Sequence, residues 1–190
     1  MKMNRRSFII SSAAATGGLA LGFRLPFGGP EVVRAADGSP EINAWVVIQP
    51  NDTVVIRCAR SEMGQGTITG LAQMVAEELE CDWKKVVTEY PTPGESVKRK
   101  RPWGDFSTGG SRGIRTSHDY VRKGGASARV MLVQAAAKQW NVPADECVAA
   151  NSVITHKPSG RKTTYGKVAE AAARLEPPKD VKLKDRKSVV

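Results

Sequence analysis

The sequence predicts an α/β domain in which a mixed sheet is flanked by helices. Three observations support this fold class: two β-branched runs joined by a turn, two long stretches with apolar residues at helical spacing, and short strand-like runs that follow the helices. We expect the domain to extend from about Ile42 to Leu175.

The first half of this range alternates strands with a helix. Ala44–Gln49 and Thr53–Cys58 are separated by Pro50-Asn51-Asp52, which predicts a hairpin. Apolar residues at spacings of three and four then predict an amphipathic helix from about Thr67 to Glu80, and Trp83–Tyr90 predicts a third strand. The apolar side chains expected in the core are Trp45, Val47, Val54, Ile56, Ile68, Leu71, Val75, Leu79, Val121, Met131 and Leu132.

A long polar segment precedes the second helix. Pro91–Gly113 is rich in glycine and proline, and its composition predicts a loop; long loops of this kind are often functional. The second helix is expected from about Ser117 to Trp140, because Thr116 and Asp119 have capping-box spacing. The pair Gly124-Gly125 weakens the helical pattern near its start.

The C-terminal part predicts smaller elements. Val148–Val168 is expected to contain a short strand pair around Ser159-Gly160, followed by an alanine-rich helix that ends near Leu175. Residues 176–190 are charged and contain two prolines, so the sequence predicts an unstructured tail there.

Charge and cysteine content exclude several classes of protein. The 190 residues carry a net charge of +10, much of it near the N-terminus, in the run Lys98–Arg101 and in the tail. With 6% aromatic residues and no recognisable binding motif, the basic run predicts a solvated loop or a partner contact rather than a nucleic-acid site. Three cysteines and two histidines exclude a cysteine-rich zinc module and an iron–sulfur cluster within this chain. One disulfide is compatible with the cysteine count but cannot be assigned.

The N-terminal segment indicates export. Arg5-Arg6-Ser7-Phe8-Ile9 precedes a weakly apolar stretch, and Ala35 follows at a plausible cleavage position, so residues 1–35 are predicted to be a twin-arginine signal. An ordinary secretory signal or an uncleaved amphipathic anchor is the alternative. The twin-arginine pathway carries folded proteins into the periplasm, and folding before export is required when a cofactor is inserted in the cytoplasm.

The first of two glycine-rich loops connects a predicted strand to the first predicted helix. It consists of Ser61–Gly66, in which Gly64 and Gly66 permit unusual dihedrals and close backbone approach. The helix start is expected to offer unpaired N–H groups to an anion or an oxo group, and Gln65 adds an amide that donates and accepts. A plain strand-to-helix turn is the alternative explanation.

The second glycine-rich loop lies shortly before the second predicted helix. Phe106–Ser111 carries hydroxyl groups and backbone amides that suit a phosphate or a polar heterocycle. A flexible linker is the alternative. Because both loops precede helices within one small domain, we expect them to meet and form a split polar cofactor site.

The combined pattern resembles a known family. SEMGQG followed by TITGLAQMVAEEL, and then STGGSRGIR, is similar to the molybdopterin-binding large subunits of the xanthine oxidase family. The similarity is greatest to the isoquinoline 1-oxidoreductase beta-subunit and exported aldehyde dehydrogenase type, and it covers Asn4 to about Asp185. It implies cofactor contacts but no catalytic or metal-ligating residue in this chain. The implied cofactor-binding residues are Met63, Gly64, Gln65, Gly66, Thr108, Gly109, Gly110 and Ser111.

The resemblance also implies an activity, a cofactor and partners. Family members oxidise aldehydes or N-heterocycles with oxygen taken from water, and a glutamate far towards the C-terminus of longer family chains acts as general base. The implied cofactor is molybdopterin cytosine dinucleotide with molybdenum. The implied partners are a [2Fe-2S] small subunit and a cytochrome c electron acceptor, with no nucleic acid.

The sequence stops before that glutamate. We therefore interpret the chain as the N-terminal part of a large subunit, from a truncated reading frame or a split gene, which needs the missing C-terminal segment and is inactive alone. The alternative function is a non-catalytic exported binding or interaction domain that binds no metal.

Overall fold

This computed structural model describes residues 34–35 and 37–185, so the predicted export signal lies outside the described residues apart from Arg34 and Ala35. Two three-stranded sheets and their helices confirm the predicted α/β class, while the predicted domain limits at Ile42 and Leu175 stay predictions. The regular elements are β1 (Val46–Ile48), β2 (Val54–Arg57), α1 (Thr67–Leu79), β3 (Val86–Glu89), α2 (Pro93–Lys98), α3 (Arg112–Arg115), α4 (His118–Trp140), β4 (Cys147–Ala150), β5 (Val153–His156), β6 (Lys162–Thr164) and α5 (Tyr165–Ala172).

The first sheet places the glycine-rich loop that follows β2. Strands β1 and β2 form the predicted antiparallel hairpin, with Val46 opposite Ile56. Strand β3 pairs in parallel with β2 after the chain has crossed over through α1. Because parallel strands end at the same edge of a sheet, the segments after β2 and after β3 meet there. The backbone N–H of Glu62 accordingly donates to the Tyr90 hydroxyl at 3.0 Å.

Helices α1 and α4 pack closely because α4 carries glycines at the contact. A Cβ atom on Gly125 would lie 2.4 Å from the carbonyl oxygen of Val75 in α1, and one on Gly124 would lie 2.5 Å from the Trp45 ring. The glycine pair that weakens the helical pattern in the sequence therefore allows two elements to approach, and α4 continues through it to Trp140 as predicted.

The predicted core positions are confirmed, and the second sheet is larger than predicted. All the predicted core side chains are buried except Trp45 and Ile68, which are half-buried and pack against the core. The strand pair around Ser159-Gly160 is present as β5 and β6, and β4 adds a third antiparallel strand. The buried hydroxyl of Tyr165, in α5, donates to the Leu79 carbonyl at 2.6 Å. This hydrogen bond connects α5 to the end of α1.

Two segments between the sheets differ from prediction. The strand predicted for Trp83–Tyr90 begins only at Val86, because Asp82 accepts from the Lys84 N–H and caps a 3-10 turn over Trp83–Lys85. The loop predicted for Pro91–Gly113 contains α2, whose first turn is capped by the Thr92 hydroxyl. It also contains the start of α3 and the buried side chain of Trp103.

The predicted capping box before α4 is wrong. The N-cap is Ser117, and its side chain makes no capping hydrogen bond. The Thr116 hydroxyl instead donates to the Arg112 carbonyl at 2.7 Å and accepts from Arg60 at 2.9 Å. Capping by Thr116 is lost because α3 and a buried arginine use its oxygen.

A buried ion cluster lies beside the first sheet. Glu41 and Arg57, each 3% exposed at the side chain, form an ion pair. Arg99 binds the same Glu41 oxygen at 2.8 Å and lies 5.0 Å from the Trp103 ring centroid. The run Lys98–Arg101 is predicted to be a solvated loop or a partner contact; within it, Arg99 is half-buried, with 28% of its side chain exposed.

The described part of the tail has no helix or strand, but it is held to α1. The Lys184 ammonium binds Glu77 at 2.6 Å and Glu80 at 2.8 Å, and the Lys184 backbone N–H donates to the buried Glu78 carboxylate. Burial by itself lowers the pKa of Lys184, but the two carboxylates outweigh it and raise that pKa above its ordinary value.

Candidate functional site

The first glycine-rich loop, Ser61–Gly66, connects the end of β2 to the start of α1. Gly64 has φ 93° and Gly66 has φ 77°, a left-handed region in which a side chain is strained. A Cβ atom at either position would meet open space. The sequence needs glycine here because of the backbone conformation, and the loop is exposed on the surface.

Three amides of this loop and of the start of α1 are occupied by a side chain, contrary to expectation. The Glu62 carboxylate accepts from the backbone N–H groups of Gly64 at 2.8 Å, Gly66 at 3.0 Å and Ile68 at 3.0 Å. An acidic side chain from the loop itself therefore fills the electropositive start of α1.

Gln65 holds the interior of the same loop. Its Oε1 accepts from the Met63 N–H at 2.6 Å, while its Nε2 donates to the Ser61 carbonyl and the Thr67 hydroxyl, both at 2.9 Å. The Met63 side chain is 75% exposed, unusual for a large apolar residue. Loop 61–66 thus presents an apolar side chain above a fixed backbone.

The second loop, Phe106–Ser111, lies against the first, as expected from the sequence. Gln65 Nε2 lies 3.5 Å from the Thr108 hydroxyl, and the Ser61 N–H donates to the Phe106 carbonyl at 3.2 Å. A Cβ atom on Gly113 would lie 2.8 Å from both the Thr108 and the Thr67 hydroxyl oxygens. The missing side chain at Gly113 therefore lets α3 and the two loops approach.

The second loop offers free backbone N–H groups as hydrogen-bond donors. Arg112 donates to the Gly109 carbonyl and Arg115 to the Gly110 carbonyl, so carbonyl groups of this loop are occupied. Within the described residues, none of the four N–H groups from Thr108 to Ser111 donates to another protein group. Gly109, Gly110 and Ser111 are exposed. These amides are suited to a polar ligand that carries oxygen or ring-nitrogen acceptors.

Burial suppresses the reactivity of the three cysteine thiols. Burial raises the pKa of the Cys58 and Cys81 thiols to about 12, and Cys147 is shifted in the same direction, so the reactive thiolate is scarce near neutral pH. The three cysteines are unpaired. Across 34–35 and 37–185, no group of three or more histidine, cysteine or acidic side chains is placed to hold a metal ion.

In the same ranges, no helix has the length and apolar character of a membrane span.

A separate cleft of about 1110 Å³ lies along α1. It is lined by residues that include Met74, Trp83, Ile114 and Lys184, and by none of the eight predicted site residues. The volume of a cleft therefore does not identify the glycine-rich loops as the candidate site. They are identified by their backbone conformation and by their contacts with each other.

Sequence reasoning missed the charged groups that fix the loops. No role for Glu62, Asp105 or Arg60 follows from the sequence pattern. Asp105 accepts from the Ser107 N–H and binds Arg60 and Arg112. The available signal was Arg60 itself, a charged residue shortly after the apolar strand β2 and directly before the first loop.

The two loop carboxylates should titrate below their ordinary range. Hydrogen bonds from the Ile68 N–H and its neighbours lower the pKa of Glu62, and the Ser107 N–H followed by Arg60 and Arg112 lowers that of Asp105. A depressed folded pKa stabilises the loops above about pH 4, the unfolded value, and that stabilisation is lost as pH falls through the folded pKa. We expect the Gly64 and Ser107 amide signals in NMR spectra to titrate below about pH 4. Glu62→Gln should abolish only the Gly64 transition, and midpoints at or above the ordinary values would contradict the assignment.

Comparison with known proteins adds independent information. The family model of the molybdopterin cofactor-binding domain matches residues 11–188. The isoquinoline 1-oxidoreductase subunit beta of Brevundimonas diminuta is 34% identical over 174 residues, which are 88% of this chain and 22% of the relative. The membrane-bound aldehyde dehydrogenase (pyrroloquinoline-quinone) of Gluconacetobacter polyoxogenes is 30% identical over 171 residues, which are 87% and 21% of the two chains. The chain thus spans about a fifth of the length of these curated relatives.

Solved structures support the fold. Quinoline 2-oxidoreductase from Pseudomonas putida 86 superposes with a TM-score of 0.52 at 20% identity, over 73% of this chain and 17% of that one. A carbon monoxide dehydrogenase from Oligotropha carboxidovorans gives 0.51 at 23% identity, over 70% and 16%. At these identities, the comparison shows that this chain shares a folding unit with one part of much larger enzymes.

Proposed function

The chain belongs to the molybdopterin cofactor-binding domain family, and from this membership we propose that its two glycine-rich loops hold one edge of a molybdopterin cofactor in an oxidoreductase large subunit. Membership confirms the resemblance to the isoquinoline 1-oxidoreductase and aldehyde dehydrogenase type. The observation that carries the proposal is the direct contact of Gln65 with Thr108, since it brings both motifs of the resemblance to one place.

The residues present fit a polar heterocycle with attached oxygen groups. The second loop supplies the N–H groups of Thr108–Ser111 and the hydroxyls of Thr108 and Ser111 as donors. The first loop supplies the exposed Met63 side chain, a soft apolar surface for a flat ring, and Gln65 Oε1, which accepts only one hydrogen bond. Because Glu62 occupies the amides of the first loop, we assign binding there to these side chains.

In this proposal the cofactor carries out the redox chemistry, and the protein loops bind it. When bound, molybdopterin cytosine dinucleotide with molybdenum supplies the two-electron oxidation of a substrate carbon. The loops of this chain bind and orient one edge of it. The chain spans about a fifth of the length of its curated relatives, and we propose that turnover requires further parts of a large subunit.

We propose aldehydes or N-heterocycles as substrates and electron transfer through a [2Fe-2S] small subunit, with cytochrome c as a further acceptor. The names of the two relatives, an isoquinoline oxidoreductase subunit and an aldehyde dehydrogenase, support the substrate classes. The first name also describes a subunit, which supports assembly with a partner chain.

We propose periplasmic delivery through the twin-arginine pathway. The support is the sequence Arg5-Arg6-Ser7-Phe8-Ile9, which lies outside the described residues. Changing both arginines to lysine should abolish delivery and leave folded protein in the cytoplasm, because this pathway reads the arginine pair. Cell fractionation with an antibody measures the distribution. Unchanged export of the double variant would contradict the twin-arginine signal.

The experiment that tests the function is co-expression of this chain with the adjacent reading frame and an iron–sulfur partner. We expect molybdenum and pterin in the purified assembly, together with dye-linked oxidation of aldehydes or N-heterocycles. Since one relative is named for pyrroloquinoline quinone, the same samples should be assayed for that quinone. An assembly with quinone and no molybdenum would contradict the proposal.

The second candidate function is a non-catalytic exported binding or interaction domain without metal. One observation favours it: Glu62 fills the amides of the first loop, so that loop is complete without a ligand. This function predicts no molybdenum or pterin under any co-expression condition. The co-expression experiment therefore separates the two functions.

A further inference from the structure

We propose that Arg60 is a positioning residue that sets the spacing of the two glycine-rich loops and thereby controls how firmly the assembled site retains its cofactor. The cofactor part of this inference rests on the proposed function. Arg60 directly precedes the loop Ser61–Gly66, and its side chain is only 6% exposed. A buried guanidinium outside the core requires an explanation, because arginine is rarely buried unless its donors are all directed at partners.

The guanidinium binds three places in the other half of the site. Its Nη1 donates to Asp105 Oδ1 at 2.7 Å, just before the second loop, and to the Ser107 carbonyl at 2.6 Å within that loop. Its Nε donates to the Ser117 hydroxyl at 2.8 Å, and its Nη2 to the Thr116 hydroxyl at 2.9 Å. The Arg60 side chain thus connects the segment after β2 to the start of the second loop and to the residues between α3 and α4.

These hydrogen bonds are part of a network that connects the two glycine-rich loops. Ser61, the next residue, donates from both its N–H and its hydroxyl to the Phe106 carbonyl. Gln65 returns to Ser61 on one side and reaches Thr108 on the other. A movement of Arg60 would therefore displace both loops together, although Arg60 itself touches none of the eight residues assigned to the cofactor.

The geometry requires arginine rather than any cation. All three nitrogens of the planar guanidinium donate to these acceptors, and their fixed arrangement lets one side chain bind all of them at once. A lysine has one nitrogen and a flexible stem, so it could keep the contact with Asp105 but not those with Thr116 and Ser117. This predicts that Arg60→Lys behaves nearly like Arg60→Met.

The test compares these two variants with Arg122→Met in the full chain. Arg122 is also largely buried and binds a buried carboxylate, Glu78 at 2.8 Å, but it contacts neither loop. Hydrogen exchange of the Ser61, Met63 and Ser107 amides is measured by NMR spectroscopy beside the melting temperature. In both Arg60 variants we expect these amides to exchange at least about tenfold faster relative to those of α4, since bonds to a charged group are lost. In Arg122→Met the melting temperature should fall without this selective change.

The second arm measures pterin and molybdenum in co-expressed assemblies, and the two Arg60 variants should retain about a tenth or less of the parent content per folded protein. Unchanged loop exchange in Arg60→Met would overturn the positioning role whatever the pterin content. Full loop protection in Arg60→Lys would overturn the requirement for the guanidinium fork. A parent assembly without pterin would overturn the proposed function and the cofactor part of this inference, while the exchange data would still decide whether Arg60 joins the loops.

Discussion

Glu41→Ala is expected to lower the free energy of unfolding by about 4 kcal/mol, a large fraction of the stability of an ordinary domain. Glu41 is buried, and it pairs with Arg57 and Arg99. Without it, the guanidinium of Arg57, 3% exposed, would keep only a distant contact with Glu89 at 3.6 Å and the Trp103 ring. The effect arises mainly because a buried charge is left without its partner, and not because the ion pair itself is strongly favourable.

The matched control is Glu95→Ala, which removes a second carboxylate from Arg99. Glu95 is 36% exposed and lies 3.4 Å from Arg99, so its removal should change the free energy of unfolding by less than about 1 kcal/mol. Urea unfolding of both variants followed by circular dichroism measures the difference. Equal effects would show that burial of Glu41 does not decide the energetics of this cluster.

Gly125→Ala should lower the free energy of unfolding by about 3 kcal/mol, because it overpacks the contact between α1 and α4. The new Cβ atom would lie 2.4 Å from the Val75 carbonyl oxygen, a backbone atom that cannot rotate away. Helix propensity alone favours alanine by about 1 kcal/mol, so the sign of the effect separates the steric clash from propensity.

Gly94→Ala provides the comparison. Gly94 also lies in a helix, α2, but a Cβ atom there would meet nothing within 4 Å. We expect this variant to be neutral or slightly more stable than the parent, as measured by thermal unfolding. Stabilisation by Gly125→Ala would contradict the close helix approach.

Local patterns predicted the elements that depend on local physics. The alternation in 44–58 and the three-and-four spacing of Ile68, Leu71, Val75 and Leu79 correspond to the hairpin β1–β2 and to α1. These patterns succeed because one face of each element must be apolar in a two-layer arrangement. The pairing of the two glycine-rich loops was also predictable, since each was expected to precede a helix.

The errors arise where distant residues decide. Thr116 has capping-box spacing, but Arg60, more than fifty positions earlier, uses its hydroxyl, and so the local rule fails. Arg99 lies in a run of four basic residues, yet Glu41 and Trp103 draw it inwards. Glu62 matches only a loop position of the family pattern, but the left-handed glycines fold loop amides around its carboxylate. The contacts of Arg60 and Arg99 join distant parts of the chain, whereas those of Glu62 are local and depend on the conformation of the loop.

The most direct measurement for the central claim is the pterin content of co-expressed assemblies carrying Gln65→Ala or Lys98→Ala. Gln65 joins the two loops, while Lys98 is an exposed residue at the end of α2 and serves as the control. We expect about a tenfold loss of pterin per folded protein in Gln65→Ala and no loss in Lys98→Ala. Equal pterin content in the parent and both variants would contradict a cofactor site at these loops.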